Sequence, residues 1–293
     1  MIRKATLLIF TFLQNLCFAM PAHAIKMALQ TNVARLGVGS ATPAVIIDAN
    51  TNRKVCDLEK MISYEIRAYK NKIAIKIDGK YYKIDSDNIV VKADENSFLS
   101  TKNKWYRGIF IIQNKNHKLT LINDIDIDNY VKGVVPAEMP PSWEIEAHKA
   151  QAIAARSYAL ANLGKRAAYG YDLNDTPEDQ AYAGASAETP RTNQAVEDTR
   201  GIVLIYNLKI IPAYYYASAG GQTTTASSVW GEDLPYIRSV PSYDGNVKKN
   251  GHGVGMSQHG ANNLAKEGYN AYQILQYFYK NIKFARLNDT SYN

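Results

Sequence analysis

The chain has 293 residues, with 34 Lys and Arg against 27 Asp and Glu and a formal net charge of +7. That length supports a large core, in one elaborate domain or two intimate ones. Two cysteines and no dense basic run exclude a disulfide-stapled fold, a zinc site built on several cysteines and a nucleic-acid binder.

At the N-terminus, Arg3 and Lys4 precede an apolar stretch from Ala5 to Ala19, and Ala22-His23-Ala24 supplies a small-x-small cleavage pattern. Residues 1–24 therefore read as a secretory signal peptide, and the chain as exported to the periplasm, the cell wall or the medium. The apolar run carries Gln14 and Asn15 and is shorter than the ~20 residues that span a bilayer, so no stable membrane span is expected after cleavage. Leu16 is too bulky for a lipoprotein signal at Cys17, and only Cys56 remains in the mature chain, which rules out an intrachain disulfide. The residual positive charge suits an anionic extracellular polymer, or reflects a lysine-rich composition. There are 21 Tyr and 7 Phe; Tyr pairs an apolar ring with a polar tip, useful for stacking on sugars as well as for core packing.

Residues 25–125 read as β-rich. Lys72 to Ile84 alternates, with Ile73, Ile75 and Ile77 on one face and Asp78-Gly79 as a hairpin turn. A second hairpin is predicted from Ile109–Ile112 to Leu119–Leu121 through Asn114–His117. Residues 126–293 form a mixed helix and hairpin core, so the fold class is α+β. In this part Pro136, Pro140 and Pro141 are expected to forbid a continuous helix around Ala137-Glu138-Met139. Ser142 is read as the cap of a helix with Glu144 and Glu146 in its first turn, an Ala-rich buried interior from Ala147 to Leu160, and Gly164, Lys165 and Arg166 closing it. Residues 165–200 read as irregular, ending in a short helix at Gln194–Thr199. A hairpin follows, Gly201–Tyr206 to Lys209–Ala217, through Asn207-Leu208. Ser218-Ala219-Gly220-Gly221 and Gly251-His252-Gly253-Val254-Gly255 are glycine loops. Helices are predicted from Ser257 to Lys266 and from Tyr272 to Tyr279.

Glu138 is the first candidate for chemistry. A carboxylate held on a rigid corner beside apolar groups has its pKa raised, as a general acid requires; the alternative is an exposed loop carboxylate. The glycine loops let backbone N–H groups approach a ligand, or are simply tight turns, and neither spacing fits a dinucleotide fingerprint or a P-loop. Among His117, His148, His252 and His259 none has metal-ligand spacing with a carboxylate, and structural hydrogen bonding is the alternative for each. Gln151 and Arg156 are polar positions on the buried helix; a buried guanidinium needs a partner, which a site carboxylate, a sugar or a structural ion pair would supply.

Three segments in order carry a resemblance. They are Tyr130-Val131-Lys132-Gly133-Val134-Val135-Pro136-Ala137-Glu138-Met139-Pro140 with Lys149–Ala159; Tyr216-Ala217-Ser218-Ala219-Gly220-Gly221-Gln222-Thr223 with Val229-Trp230-Gly231; and His252-Gly253-Val254-Gly255-Met256-Ser257-Gln258-His259-Gly260-Ala261. Over roughly residues 125–281 the chain resembles the stage II sporulation protein D (SpoIID) family, which includes the LytB amidase enhancers. The resemblance implies a lytic transglycosylase that cuts between N-acetylmuramic acid and N-acetylglucosamine without water, in cell-wall remodelling such as sporulation or division. Glu138 would act as acid and then as base, closing a 1,6-anhydro ring with no second carboxylate. Gln151, Arg156, Tyr158, Tyr216, Ser218, Gly220, Gly221, Thr223, His252, Gly253 and Gln258 would line the substrate groove. The implied partners are peptidoglycan glycan strands, preferably stripped of stem peptides, and a cell-wall amidase; no cofactor is implied.

Two departures from the family pattern bear on these expectations. Some members bind zinc through Cys and His before a Gln-x-Tyr-x-Gly motif, but Asp172–Gly184 here contains neither residue, so no metal is expected there. Longer members insert a segment before His-Gly-Val-Gly, whereas Asp244 is followed closely by Gly251-His252, which implies a more open groove. Two other readings remain: a non-catalytic glycan-binding module that stimulates an amidase, and a metal-dependent hydrolase using His252 and His259.

Overall fold

A computed structural model describes residues 24–176 and 178–287. The signal-peptide reading falls outside these residues except at Ala24, which opens the first strand.

Twelve strands precede the first helix: β1 (Ala24–Val33), β2 (Arg35–Ser40), β3 (Ala44–Asp48), β4 (Arg53–Leu58), β5 (Tyr64–Tyr69), β6 (Lys72–Ile77), β7 (Lys80–Ile84), β8 (Asn88–Ala93), β9 (Leu99–Thr101), β10 (Lys104–Tyr106), β11 (Ile109–Lys115) and β12 (Lys118–Asp126). The helical part follows with α1 (Ile127–Glu138), α2 (Ile145–Ala161), β13 (Leu173–Asn174), α3 (Pro190–Asp198), β14 (Ile202–Tyr206), β15 (Lys209–Ile210), β16 (Tyr215–Tyr216), α4 (Ala226–Trp230), β17 (Met256–Ser257), α5 (Gln258–Lys266), α6 (Ala271–Phe278) and β18 (Lys283–Arg286). Strands and helices segregate along the chain, and the class is α+β.

The first twelve strands form two sheets. One runs β13-β1-β12-β11-β8-β3-β4 and the other β10-β9-β2-β5-β6-β7. Period-two alternation sends one side of each sheet inward, and Ile25, Met27, Ile46, Ile66, Ile73 and Phe110 are all fully buried in one core. Each such side chain contributes about 1.5–3 kcal/mol over an exposed one. The same core takes in Tyr130, Val131 and Val134 of α1, and β13 pairs in parallel with β1. The β-rich part and the helical part are therefore bonded and packed together.

Both predicted hairpins form. Asp78 (φ 49°) and Gly79 (φ 78°) join β6 to β7, and Asn116 (φ 52°) and His117 (φ 63°) join β11 to β12. Two consecutive left-handed residues give the loop twist that antiparallel strands need. Asn207 and Leu208 make a third such turn, but its arms are short: only Ile205 and Tyr206 pair with Ile210 and Lys209, while β18 pairs along the other edge of β14. The expected arm to Ala217 instead separates, and Tyr215-Tyr216 pairs in parallel with Met256-Ser257.

The helices correct the sequence reading in three places. Pro136 does not interrupt α1, which continues to Glu138. A proline removes one intrahelical bond and crowds the carbonyl four residues back. In the last turn that loss is small, and the Met139 N–H still reaches the Val135 carbonyl at 3.0 Å. Next, the N-cap of α2 is Glu144 and not Ser142, with no side-chain cap; α2 ends at Asn162, and Lys165 and Arg166 bind Asp179 rather than the helix end. Finally, α3 starts at Pro190, earlier than Gln194, because Thr189 and Thr192 form a reciprocal capping box. The Ala-rich α2 is the hub: it is buried from Ala147 to Leu160 apart from Lys149, and α1, α3, α5, α6 and β14 pack against it.

Candidate active site

Glu138 is the last residue of α1, and its carboxyl group is half-buried. Three donors from three other segments converge on it. The Ala181 N–H donates to Oε1 at 2.9 Å, the Tyr215 hydroxyl donates to the same oxygen at 3.3 Å, and Gln258 Nε2 donates to Oε2 at 3.1 Å. Tyr215 is itself held in place. Gln180 Nε2 donates to its hydroxyl at 2.7 Å, while Gln180 Oε1 accepts from the Tyr130 hydroxyl at 3.1 Å. The chain Tyr130–Gln180–Tyr215–Glu138 thus ties α1, the loop before α3, and β16 together. Burial raises the pKa of Glu138, and the Ala181, Gln258 and Tyr215 donors offset only part of that rise.

Glu138 opens onto a groove of about 500 Å³. One wall is aromatic. The Tyr214 and Trp230 ring centroids are 4.6 Å apart, Trp230 and His252 5.1 Å, and Tyr216 and His252 5.2 Å. Tyr158 reaches the same groove and meets Tyr214 edge-on at 5.8 Å. His252 Nδ1 accepts from the Val254 N–H at 3.0 Å, which leaves Nε2 to carry the proton of the neutral ring. Burial lowers the pKa of His252, which favours that neutral form. The opposite side belongs to the segment around Asp179, whose carboxylate takes Lys165 at 2.7 Å, Arg166 at 2.5 Å and the Asn174 N–H at 2.8 Å. Asp179 is thereby an ion-paired anchor of the loop that presents Gln180 and Ala181.

The first glycine loop forms a cradle that is filled by the chain's own Asp244, which is fully buried. The Ala219 N–H donates to Asp244 Oδ2 at 2.7 Å and the Gly221 N–H to Oδ1 at 3.0 Å; the hydroxyls of Ser257 and Ser242 add two further bonds. Burial alone would raise the Asp244 pKa, yet these four donors hold it below the usual carboxylate range. Ser257 precedes Gln258, so the cradle fixes the start of α5 and with it a donor to Glu138. In the second loop, Gly251 (φ 106°) lies so close to Tyr216 that a Cβ would stand 2.7 Å from the tyrosine's own Cβ.

Of the residues expected to form the groove, Glu138, Tyr158, Tyr216, His252 and Gln258 line it. The others lie elsewhere. Arg156 is fully buried and bonds Asp128 through Nε at 2.7 Å and the Ile202 carbonyl at 3.0 Å, a tie between α1, α2 and β14. Gln151 is fully buried within α2 and away from the groove. Thr223 binds Val240 and Arg238 ahead of Asp244, and Ser218 donates to the Lys248 carbonyl beyond it, so the two pin the chain on either side of Asp244. Gly220 and Gly253 shape turns, and Gly221 belongs to the Asp244 cradle. His259 packs on Trp143, His148 meets the Pro140 carbonyl at 3.0 Å, and His117 sits in a hairpin turn. Among the described residues no group of three or more His, Cys, Asp or Glu side chains is gathered as for a metal ion.

Sequence reasoning did not place Tyr214, Tyr215, Gln180 and Trp230 in the site. The available signals were the abundance of tyrosine, which does not say which tyrosines converge, and the motif segments that hold Gln180 and Trp230, which do not say where they fold.

A family model described as stage II sporulation protein (SpoIID) matches residues 115–206. The chain is 44% identical over 107 residues to the amidase enhancer of Bacillus subtilis (strain 168), covering 36% of this chain and 14% of that protein. It is 27% identical over 259 residues to stage II sporulation protein D of the same organism, covering 56% of this chain and 76% of that protein. To an uncharacterized protein of Brachyspira hyodysenteriae it is 32% identical over 196 residues, covering 67% of this chain. The chain spans about half the length of the Brachyspira protein (49%) and a small part of the amidase enhancer. The matched segment contains α1 with Glu138 and Gln180-Ala181, whereas Tyr215, His252 and Gln258 follow it in sequence. Residues 115–206 therefore match the stage II sporulation protein D family model, and the chain is similar over its matched segments to proteins of that name.

Proposed function

We propose that this chain is an exported peptidoglycan lytic transglycosylase of cell-wall remodelling, with Glu138 as its acid and base. The observation that carries the reading is a single half-buried carboxyl group, its pKa raised by burial, at the head of a groove with an aromatic wall. Sugar rings stack on such walls through their apolar faces. Glu138 Oε1 already accepts two hydrogen bonds and Oε2 one. The proton of the acid form therefore belongs on Oε2, the oxygen with room for a substrate.

In the first half-reaction Oε2 gives its proton to the glycosidic oxygen as the muramyl C1–O bond breaks. In the second, the muramyl 6-hydroxyl oxygen bonds to C1 and its proton returns to Glu138. Atoms balance without water, the product carries a 1,6-anhydro ring, and no second carboxylate takes part. The ion-paired state of Asp179 is consistent with a role in holding the loop rather than in attack. Among the described residues no helix is long and apolar enough to cross a membrane.

A second reading has its own observation, the 44% identity to a protein named amidase enhancer. In it the groove binds glycan strands, and the chain stimulates a partner amidase without cutting. Mass spectrometry of products from peptide-free glycan strands, using the chain and its Glu138→Gln variant, separates the two. Anhydro-muramyl products lost in the variant establish the transglycosylase. Reducing-end products indicate a water-using hydrolase. Strand binding without cleavage by either protein favours the amidase-stimulating module.

A further inference from the structure

The outward face of the second sheet carries a concentration of cations that the active site does not use. Arg35 on β2 and Arg67 on β5 are direct register partners, Arg67 faces Ala74 on β6, and Ala74 faces Lys83 on β7. Lys76, two residues from Ala74 on the same side of β6, faces Tyr81. On the same face Lys72 is paired with Asp85 at 3.0 Å, and Glu65, two residues from Arg67 along β5, keeps its charge while accepting from the Tyr81 hydroxyl, so the cations outnumber the anions there without excluding them. Among the described residues none of Arg35, Arg67, Lys76 and Lys83 forms an ion pair.

Two features set this face apart from an ordinary solvated sheet. Like charges placed directly opposite each other destabilise a strand pair, yet Arg35 and Arg67 are so placed. Lysines on an edge strand guard against edge-to-edge pairing, which accounts for Lys83 on β7, but β2 and β5 are interior strands of the sheet. The cations are also held in position. The Arg67 guanidinium lies 3.5 Å from the Tyr81 ring centroid, and Lys83 Nζ lies 4.4 Å from that of Tyr69. Ring contacts of this kind restrict long side chains before any ligand arrives and reduce the ordering cost of binding.

We infer that this face docks a peptide-free muramyl glycan strand through its lactyl carboxylates, away from the groove that holds Glu138. The inference rests on the peptidoglycan reading above for the choice of polymer. Removing a stem peptide hydrolyses the amide on the lactyl group and leaves a carboxylate on each muramyl residue, so a stripped strand is a regularly charged polyanion. A strand still bearing peptides lacks those carboxylates. The line of cations running from Arg35 to Lys83 is complementary to the stripped form, and the flat pleated surface suits an extended polymer.

The test uses the full chain carrying Glu138→Gln, so that strands are bound and not cut. Its affinity is measured for peptide-free glycan strands, for the same strands with their carboxylates methylamidated, and for polyglycerol phosphate, at low and high salt. Lys76→Gln/Lys83→Gln and Arg35→Gln are then compared in that background, after melting curves confirm an unchanged fold. The parent is expected to prefer carboxylated over methylamidated strands by about tenfold, with the preference collapsing at high salt. The substituted proteins are expected to lose most of that preference. Equal binding of the two strand forms by the parent, unchanged binding by the substituted proteins, or equally tight binding of polyglycerol phosphate would each overturn the inference. Cleavage by the chain with native Glu138 is scored separately. A chain that binds stripped strands through this face and never cuts them sinks the transglycosylase and leaves the docking surface standing.

Discussion

Gln258 Nε2 donates to Glu138 Oε2 at 3.1 Å across 120 positions of sequence, joining the first residue of α5 to the last residue of α1. The bond is to the oxygen assigned the catalytic proton, and it favours the ionised form. Replacing Gln258 with Ala removes one of the donors that hold the Glu138 pKa down. The pKa should rise further, and the alkaline limb of the kcat/KM profile, where the acid form is lost, should move to higher pH. A pH profile that falls uniformly without moving would show that Gln258 only shapes the groove. The expected loss of rate at the optimum is about 10- to 100-fold.

Glu138 also has a signature in stability. A carboxyl group whose pKa is raised on folding favours the folded state while it is protonated, and that contribution is lost as pH rises through the folded pKa. Glu138→Gln keeps the site neutral at every pH. The variant should therefore melt higher than the parent at pH 7, with the difference shrinking as pH falls toward the ordinary glutamate value of about 4.3. Thermal denaturation at a series of pH values checks both the sign and the window.

The Asp244 cradle predicts the opposite pH sense. Four donors hold its pKa below the usual range despite burial, so its contribution is present above about 3.9 and lost as pH falls through the folded value. Asp244→Ala would leave two N–H groups and two hydroxyls without their acceptor, at a cost of about 2–4 kcal/mol. Because Ser257 is one of the four, the variant should also lose activity through misplaced Gln258. Asp244→Asn, able to accept some of these bonds, should recover part of the stability. Equal melting temperatures for Asp244→Ala and the parent would refute the cradle's importance.

Trp230 closes α4 at the groove and is 42% exposed. Its removal should barely alter the melting temperature, since a side chain exposed to that degree contributes little packing. Substrate affinity is another matter, because the ring is a stacking surface against Tyr214 and His252. Trp230→Ala should raise KM about tenfold with kcat nearly unchanged, corresponding to about 1.4 kcal/mol. Steady-state kinetics on glycan strands of defined length measures the split.

Arg156 illustrates a buried charge with a structural task. Arg156→Ala would strand the nearly buried Asp128 without its cation and cost about 3–5 kcal/mol. The loss should appear as lower folded yield and melting temperature. Residual folded protein at low temperature should keep its affinity for strands, because the guanidinium does not face the groove.

Features that neighbours in the chain decide among themselves were legible from residues alone. Asp78-Gly79 and the turn through Asn116-His117 specify left-handed loop residues, and alternation in β6 and β11 sends Ile73, Ile75, Phe110 and Ile112 inward. Ser257 and Asn270 announce the starts of α5 and α6 through caps that bond only three residues ahead. The apolar, proline-flanked setting of Glu138 was legible for the same reason. Local rules misjudged Pro136, because its cost depends on its position in the helix, and Ser142, because Asn262 from α5 bonds the N–H of Glu144 at the start of α2.

Packing between distant elements chose the partners of Arg156, the first glycine loop and Glu138. Arg156 needed a partner, and the packing of α1 on α2 made it Asp128 rather than a sugar. The glycine loop could receive an anion, and chain closure supplied Asp244 from 25 positions away. Tyr215 and Gln180 carry no local mark of the site, and Gln258 is marked only by the family resemblance. They reach Glu138 because β16 pairs with β17, and because the loop around Asp179 is held by Lys165 and Arg166. Such contacts depend on long loop closures and on the burial of whole elements, and no short window of sequence contains the partners whose energies set them.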